Sequence, residues 1–153
     1  MIELVQLLKE KSLTIGSVES MTGGLFASSI TSVPGASKVY KGSVVSYSPL
    51  VKENVIGVKE ETIEKYGVVS KEVAYEMAKE GREVLDVDIC VSVTGNAGPT
   101  TEPGQAGVGE VYIGVSNKKN TQVIKKNFSG DREQIREQTL LAMQEEVLKL
   151  LKS

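Results

Sequence analysis

The short run from Asp88 to Val93 is apolar at nearly every position. It reads as a strand of the kind buried in a sheet that is covered on both faces. A chain containing such a strand needs helices to supply both covers, and the flanking sequence offers them. Residues 2–11 carry Ile2, Leu4, Val5, Leu7 and Leu8 on a helical period. Leu25, Phe26, Ser29, Ile30 and Val33 mark a second helical face, ended by Pro34-Gly35. Thr62 to Tyr66 reads as a short helix closed by Gly67. Ser70 suits the cap of a helix with Val73, Ala74, Met77, Gly81, Val84 and Leu85 on its core face. A last helix is expected from about 131 to about 151, with Ile135, Ala142, Met143, Val147, Leu150 and Leu151 on its buried side.

Further strands are expected over Leu13 to Val18, Lys41 to Tyr47, Val108 to Ser116 and Thr121 to Phe128, the last two joined by the turn Asn117-Lys118-Lys119-Asn120. Strands separated by helices give a layered α/β sheet. The late hairpin adds an antiparallel pair, so the sheet should be mixed. With 153 residues and no linker or repeat, one domain over 1–153 accounts for the chain.

Two counts narrow the chemistry. The chain has no histidine and a single cysteine, Cys90, inside the buried strand. That excludes a Ser-His-Asp triad, a Cys-His pair, histidine metal sites and thiolate clusters. Any base must be a lysine, a tyrosine, a carboxylate or an amine. A net charge of -2 with mixed signs leaves no basic footprint for nucleic acid. No apolar run approaches the roughly 20 residues that span a bilayer, and no signal sequence opens the chain. A cytoplasmic location is expected.

Ligands of open α/β sheets bind beyond the carboxyl ends of strands. Three turns here follow strands. In Ser20-Met21-Thr22-Gly23-Gly24 a serine is presented at a strand end, and the glycines let backbone amides approach a ligand. The following helix start favours a phosphate or a developing oxyanion. The same residues also suit a plain helix cap. In Ser46-Tyr47-Ser48-Pro49-Leu50-Val51-Lys52, a helix starting near Pro49 puts Ser48 and Lys52 on one face, with Lys52 pointing back toward the strand end. A partly buried lysine can shed its proton near neutral pH and act as base, and a tyrosine can relay that proton. A surface lysine beside a core-edge tyrosine fits the same residues. Thr94-Gly95-Asn96-Ala97-Gly98-Pro99 either lines a nucleotide pocket or is an ordinary loop. Arg132 opens the last helix, where its charge opposes the dipole; an anion, phosphate above all, would explain it, and so would a solvated side chain. Asp131 and Gln134 beside it suit a capping box.

Taken in order, Val18 to Gly24, Pro34 to Ser37, Val44 to Ser48, Tyr66 to Ser70, Val93 to Pro99, Val108-Gly109 and Gly130 to Arg132 resemble the CinA C-terminal domain family, from about Leu7 to the C-terminus. The characterised members it resembles are PncC-type amidases. They hydrolyse the carboxamide of nicotinamide mononucleotide to nicotinic acid mononucleotide and ammonia.

The resemblance implies a three-layer α/β/α fold with a mixed, mostly parallel sheet. It implies a homodimer or higher homo-oligomer, no cofactor and no metal, with a small nucleotide as the partner. It implies Ser20 as nucleophile with Tyr47 and Lys52 as its activators, and Thr22, Gly23, Gly24, Ser48, Thr94, Gly95 and Arg132 around the substrate. Arg132 is placed near the phosphate, and the amides near Thr22 to Gly24 form the oxyanion hole. Met21 stands where the family usually has cysteine, and Asn96 replaces an apolar residue. Residues 100–107 lack the usual glycine-rich, lysine-containing form. Pro49 replaces asparagine, which removes a donor and shifts the backbone that carries Lys52. Those departures keep open a second reading, a module of the same fold that holds a nucleotide without turning it over. Longer members carry an extra N-terminal domain resembling molybdopterin-binding proteins, so this chain reads as a stand-alone form.

Overall fold

The computed structural model describes residues 1–153. The chain runs α1 (Ile2–Lys11), β1 (Ile15–Glu19), α2 (Leu25–Thr31), a 3-10 turn (Ala36–Lys38) and β2 (Tyr40–Val45). It continues through α3 (Pro49–Val51), a π-helical turn (Lys52–Ile56), α4 (Glu60–Tyr66), α5 (Lys71–Leu85) and β3 (Ile89–Gly95). The hairpin β4 (Glu110–Ser116) and β5 (Thr121–Asn127) then leads into α6 (Arg132–Lys152). The five strands form one sheet in the order β2-β1-β3-β4-β5. β1 pairs parallel with β2 and β3, while β4 pairs antiparallel with β3 and β5. Only β4 therefore runs against the other strands. The carboxyl ends of β1, β2 and β3 open side by side on one rim.

Helices cover both faces. On one face Leu4, Leu8, Phe26, Ile30, Ile135, Met143 and Val147 of α1, α2 and α6 meet Ile15, Ile89, Val91, Val93, Val111 and Ile113 of the sheet. On the other, Val73 and Met77 of α5 and Ile56 of the π-helical turn meet Val18 and Cys90. The strand expected to be covered twice is buried from Ile89 through Thr94. Asp131 and Gln134 form the expected capping box, Ser70 caps α5, and Asn117 closes the hairpin turn by accepting from the amides of Lys119 and Asn120.

Two residues expected inside lie outside. Val84 is half exposed although it shares the helical face of Val73 and Met77, because it sits in the last turn of α5, beyond the buried residues 73 to 81. Ile2 is exposed at the free end of α1. Glycine decides how close α5 comes to the sheet. A Cβ at Gly81 would collide with Val18 and stand 2.9 Å from Cys90 Sγ. One at Gly114 would stand 2.7 Å from the Ala74 carbonyl, which also accepts a hydrogen bond from the buried Ser92 hydroxyl.

In an open helix, Gly→Ala gains up to about 1 kcal/mol. At Gly81 the steric cost of overpacking, typically about 1–3 kcal/mol, opposes that gain and outweighs it. Gly81→Ala is therefore expected to lower the urea midpoint at unchanged slope; a midpoint equal to or above wild type would contradict this packing.

Candidate active site

β1 delivers Glu19 and Ser20 to the rim, and the geometry of the turn begins with Glu19. Its carboxylate is fully buried and accepts five hydrogen bonds: the amides of Gly24, Phe26 and Ala27 and the hydroxyls of Thr22 and Ser17. No basic side chain pairs with it. The charge is held by oriented dipoles, three of them amides at the start of α2. The Gly24, Phe26 and Ala27 amides at this helix start are thus engaged by the protein's own carboxylate rather than left open for a phosphate or an oxyanion.

Behind Glu19 runs a chain of hydroxyls. A carboxylate only accepts, so Ser17 donates to it. Ser17 then accepts from Ser43, and Ser43 from Tyr40, each link pointing toward the buried charge.

Ser20 is almost wholly buried, and its Oγ lies 3.0 Å from Lys52 Nζ. Pro49, expected to displace that lysine, instead takes the first position of α3, where no amide donor is needed. Ser48 caps the helix by accepting from the Val51 amide. The π-helical turn follows, with the Lys52 carbonyl accepting from both Gly57 and Val58 amides. Turns of this type cluster at functional sites. The Lys52 side chain is fully buried, and its amine also reaches the Ser46 carbonyl at 2.5 Å and the Tyr47 carbonyl at 3.4 Å. Burial pulls its pKa from 10.5 down to about 8.

The Tyr47 phenol is elsewhere. It is 64% exposed, and its hydroxyl accepts from Arg132 Nη2 at 3.4 Å and bonds to neither Ser20 nor Lys52. The predicted trio therefore meets only in part: the serine and lysine side chains touch, while Tyr47 reaches the lysine through its main chain. A phenol on the strand-end loop of edge strand β2 has no cover to turn it inward. Arg132 also donates to the Gly98 carbonyl at 2.6 Å, which links α6 to the loop after β3. The buried Thr94 hydroxyl donates to the Val68 carbonyl. Gly95 lines a cleft of about 360 Å³ with Tyr66, Val68, Asn96 and Gln105. A larger cleft, about 720 Å³, lies at the opposite rim between the hairpin and the end of α6, away from Ser20.

The turn's amides are divided. Gly23 donates to the Ser20 carbonyl and Gly24 to Glu19. The amides of Met21 and Thr22, both in buried residues, donate to no protein acceptor. On the other side of the turn Arg136, one helical turn after Arg132, donates from Nε to the Met21 carbonyl at 2.9 Å and from Nη2 to the Thr22 carbonyl at 3.0 Å. Sequence reasoning passed over Glu19 and Arg136. The signals were an acid at the end of an apolar strand just before a helix, and a second arginine four residues past a suspect one. No group of three or more His, Cys, Asp or Glu side chains is placed to hold a metal. No helix is long and apolar enough to cross a membrane.

Comparison with known proteins gives concordant results. A family model described as the CinA C-terminal domain matches residues 1–151. A CinA-like protein of Thermotoga neapolitana is 41% identical over 149 residues, which is 97% of this chain and 36% of that protein. A CinA-like protein of Endomicrobium trichonymphae is 47% identical over 135 residues, or 88% of this chain and 32% of that one. The chain thus spans about a third of the length of these relatives. Among solved structures, a competence or damage-inducible protein from Enterobacter asburiae superposes with a TM-score of 0.93 at 27% identity, covering 97% of this chain and 96% of that one. A competence-damaged protein (CinA) superfamily protein from Escherichia coli gives 0.90 at 29%, covering 98% and 86%.

Replacing Glu19 by glutamine puts an NH2 group against donors that need an acceptor. The expected loss is about 2–4 kcal/mol, seen as a fall of roughly 5–15 °C in Tm. A Tm within a degree of wild type would mean the carboxylate does not hold the turn.

Proposed function

The chain belongs to the CinA C-terminal domain family, and from that premise we propose that it is a metal-independent amidohydrolase that deamidates nicotinamide mononucleotide in the cytoplasm. The observation that carries this reading is a buried lysine amine 3.0 Å from a serine oxygen at the carboxyl rim of the sheet. In the neutral amine two protons go to the Ser46 and Tyr47 carbonyls, which leaves the lone pair facing the Ser20 hydroxyl. The lysine is then a base without histidine's help.

The reaction runs in two halves. Ser20 attacks the carboxamide carbon as its proton passes to Lys52, and the carbonyl oxygen becomes an oxyanion facing the free amides of Met21 and Thr22. Lys52 returns the proton to the departing nitrogen, the C–N bond breaks and ammonia leaves. Water, deprotonated by the same amine, then attacks the acyl-serine and releases the acid and the restored serine. Arg132, exposed at the mouth and tied to Gly98, is positioned for the substrate phosphate as a bidentate donor. Tyr47 serves through its main-chain carbonyl on Lys52 and by steadying Arg132, rather than as a proton relay. Assembly into a homo-oligomer is part of the same proposal.

The test is ammonia release from nicotinamide mononucleotide, with the acid mononucleotide as co-product. Ser20→Ala is expected to abolish it. Nucleotide binding with no release by the wild type would favour the holding module instead. Turnover should rise with pH, reach half its maximum near 8, and level off above, since only the deprotonated amine is a base. Lys52→Met should remove turnover without lowering Tm at pH 7, because it deletes a penalised buried charge. The folded pKa lies below the unfolded value, so wild-type stability should climb between about pH 8 and 10.5 while the unfolded chain still holds that proton. A flat profile in both measurements would remove Lys52 from the base role. Arg132→Met should raise KM about tenfold or more with a smaller change in kcat, the pattern of a lost phosphate contact.

A further inference from the structure

We infer that Arg136 is a positioning residue that sets the strength of the oxyanion hole by holding the far end of the Met21–Thr22 peptide unit, one of the two that supply it. The inference rests on the proposed reading of Ser20 as a nucleophile. Each peptide unit carries an acceptor and a donor pointing opposite ways, and a hydrogen bond to the carbonyl polarises the amide of the same unit. The free Met21 amide shares its unit with the Ser20 carbonyl, which accepts from Gly23. The free Thr22 amide shares its unit with the Met21 carbonyl, which accepts from Arg136 Nε. The next carbonyl, Thr22, takes Arg136 Nη2, while the amide of its unit closes back on Ser20.

One planar guanidinium thus spans two consecutive carbonyls and fixes both planes. Lysine, with a single ammonium, cannot reproduce that fork. The cation adds a field of the sign that an oxyanion on the amide side requires. It does so without contacting the substrate, because the turn lies between them. Glu19 completes the clamp from beneath by taking the Thr22 hydroxyl and the Gly24 amide. Two ordinary peptide units supply the hole; Gly23 closes on the carbonyl of the first, and an arginine reaching in from α6 holds the carbonyl of the second.

The test uses a fluorophosphonate, which phosphonylates activated serines through a transition state carrying an oxyanion and so needs no knowledge of the natural amide. The second-order labelling rate of Ser20 is measured against pH for wild type, Arg136→Gln and Arg136→Lys, alongside kcat and KM for nicotinamide mononucleotide. Arg136→Gln, which keeps a donor but no charge, is expected to slow labelling and kcat by about 10–100-fold, less than deleting a donor outright. KM and the pH midpoint should stay in place, because the Ser20–Lys52 contact is untouched. Arg136→Lys, keeping the charge but not the fork, should fall between the two and stands in if the glutamine variant is unstable.

Wild-type labelling in either folded variant overturns the inference. So does a shifted pH midpoint, since a merely loosened turn would disturb the serine and lysine together. Wild type that is labelled but releases no ammonia sinks the substrate assignment and leaves this inference standing on the labelling rates. Wild type that is not labelled at all sinks both.

Discussion

A carboxylate buried with no cation beside it is the constraint around which this rim is organised. Glu19 is stable there only because five donors converge on it, and those donors belong to the turn that presents Ser20. Satisfying the charge and shaping the turn are one event. The Gly24, Phe26 and Ala27 amides cannot reach the carboxylate unless the chain reverses tightly after β1. That reversal lifts Ser20 to the end of the strand and leaves the next two amides without acceptors. Arg136 closes the arrangement from the carbonyl side. A neutral residue in place of Glu19 would leave the turn with no common point to fold around.

The second buried charge has the opposite logic. Lys52 is surrounded by carbonyls and a hydroxyl with no carboxylate bonded to its amine, so nothing strongly offsets the loss of water. Desolvation therefore shows itself in the proton affinity of the amine rather than being cancelled by an ion pair. Glu19 and Lys52 lie on either side of Ser20, each bonded to other partners and not to one another. A direct ion pair between them would stabilise the charged amine and hold its proton affinity up.

Much of the architecture was legible because it rests on periodicity. The apolar run at 89–93 required cover on both faces, and the helical stripes of α1, α5 and α6 supplied it. Those stripes failed only at their ends, at Ile2 and Val84, where a residue on the right period has no neighbour to pack against. Ser20 and Lys52 could be named because a strand-end serine and a lysine after a capped proline are local patterns. Tyr47 meets the lysine through its carbonyl and not its phenol, because backbone direction, not residue type, decides which end of a residue faces it. Glu19 and Arg136 escaped for a related reason. Each acts on main-chain atoms of a turn, and such a contact leaves no spacing in the sequence by which to recognise it.

Arg132 and Arg136 stand one turn apart on α6, the helix that also contributes Ile135, Met143 and Val147 to the core. One arginine reaches the Gly98 carbonyl and the Tyr47 hydroxyl and the other grips the turn after Ser20, so both ride on a single rigid rod. A substitution deep in the molecule that tilts this rod moves them together. If the proposed roles hold, affinity and speed are not free to drift apart in descendants of this chain: core changes far from the rim should alter the two traits in concert, and independent tuning has to come from the loops.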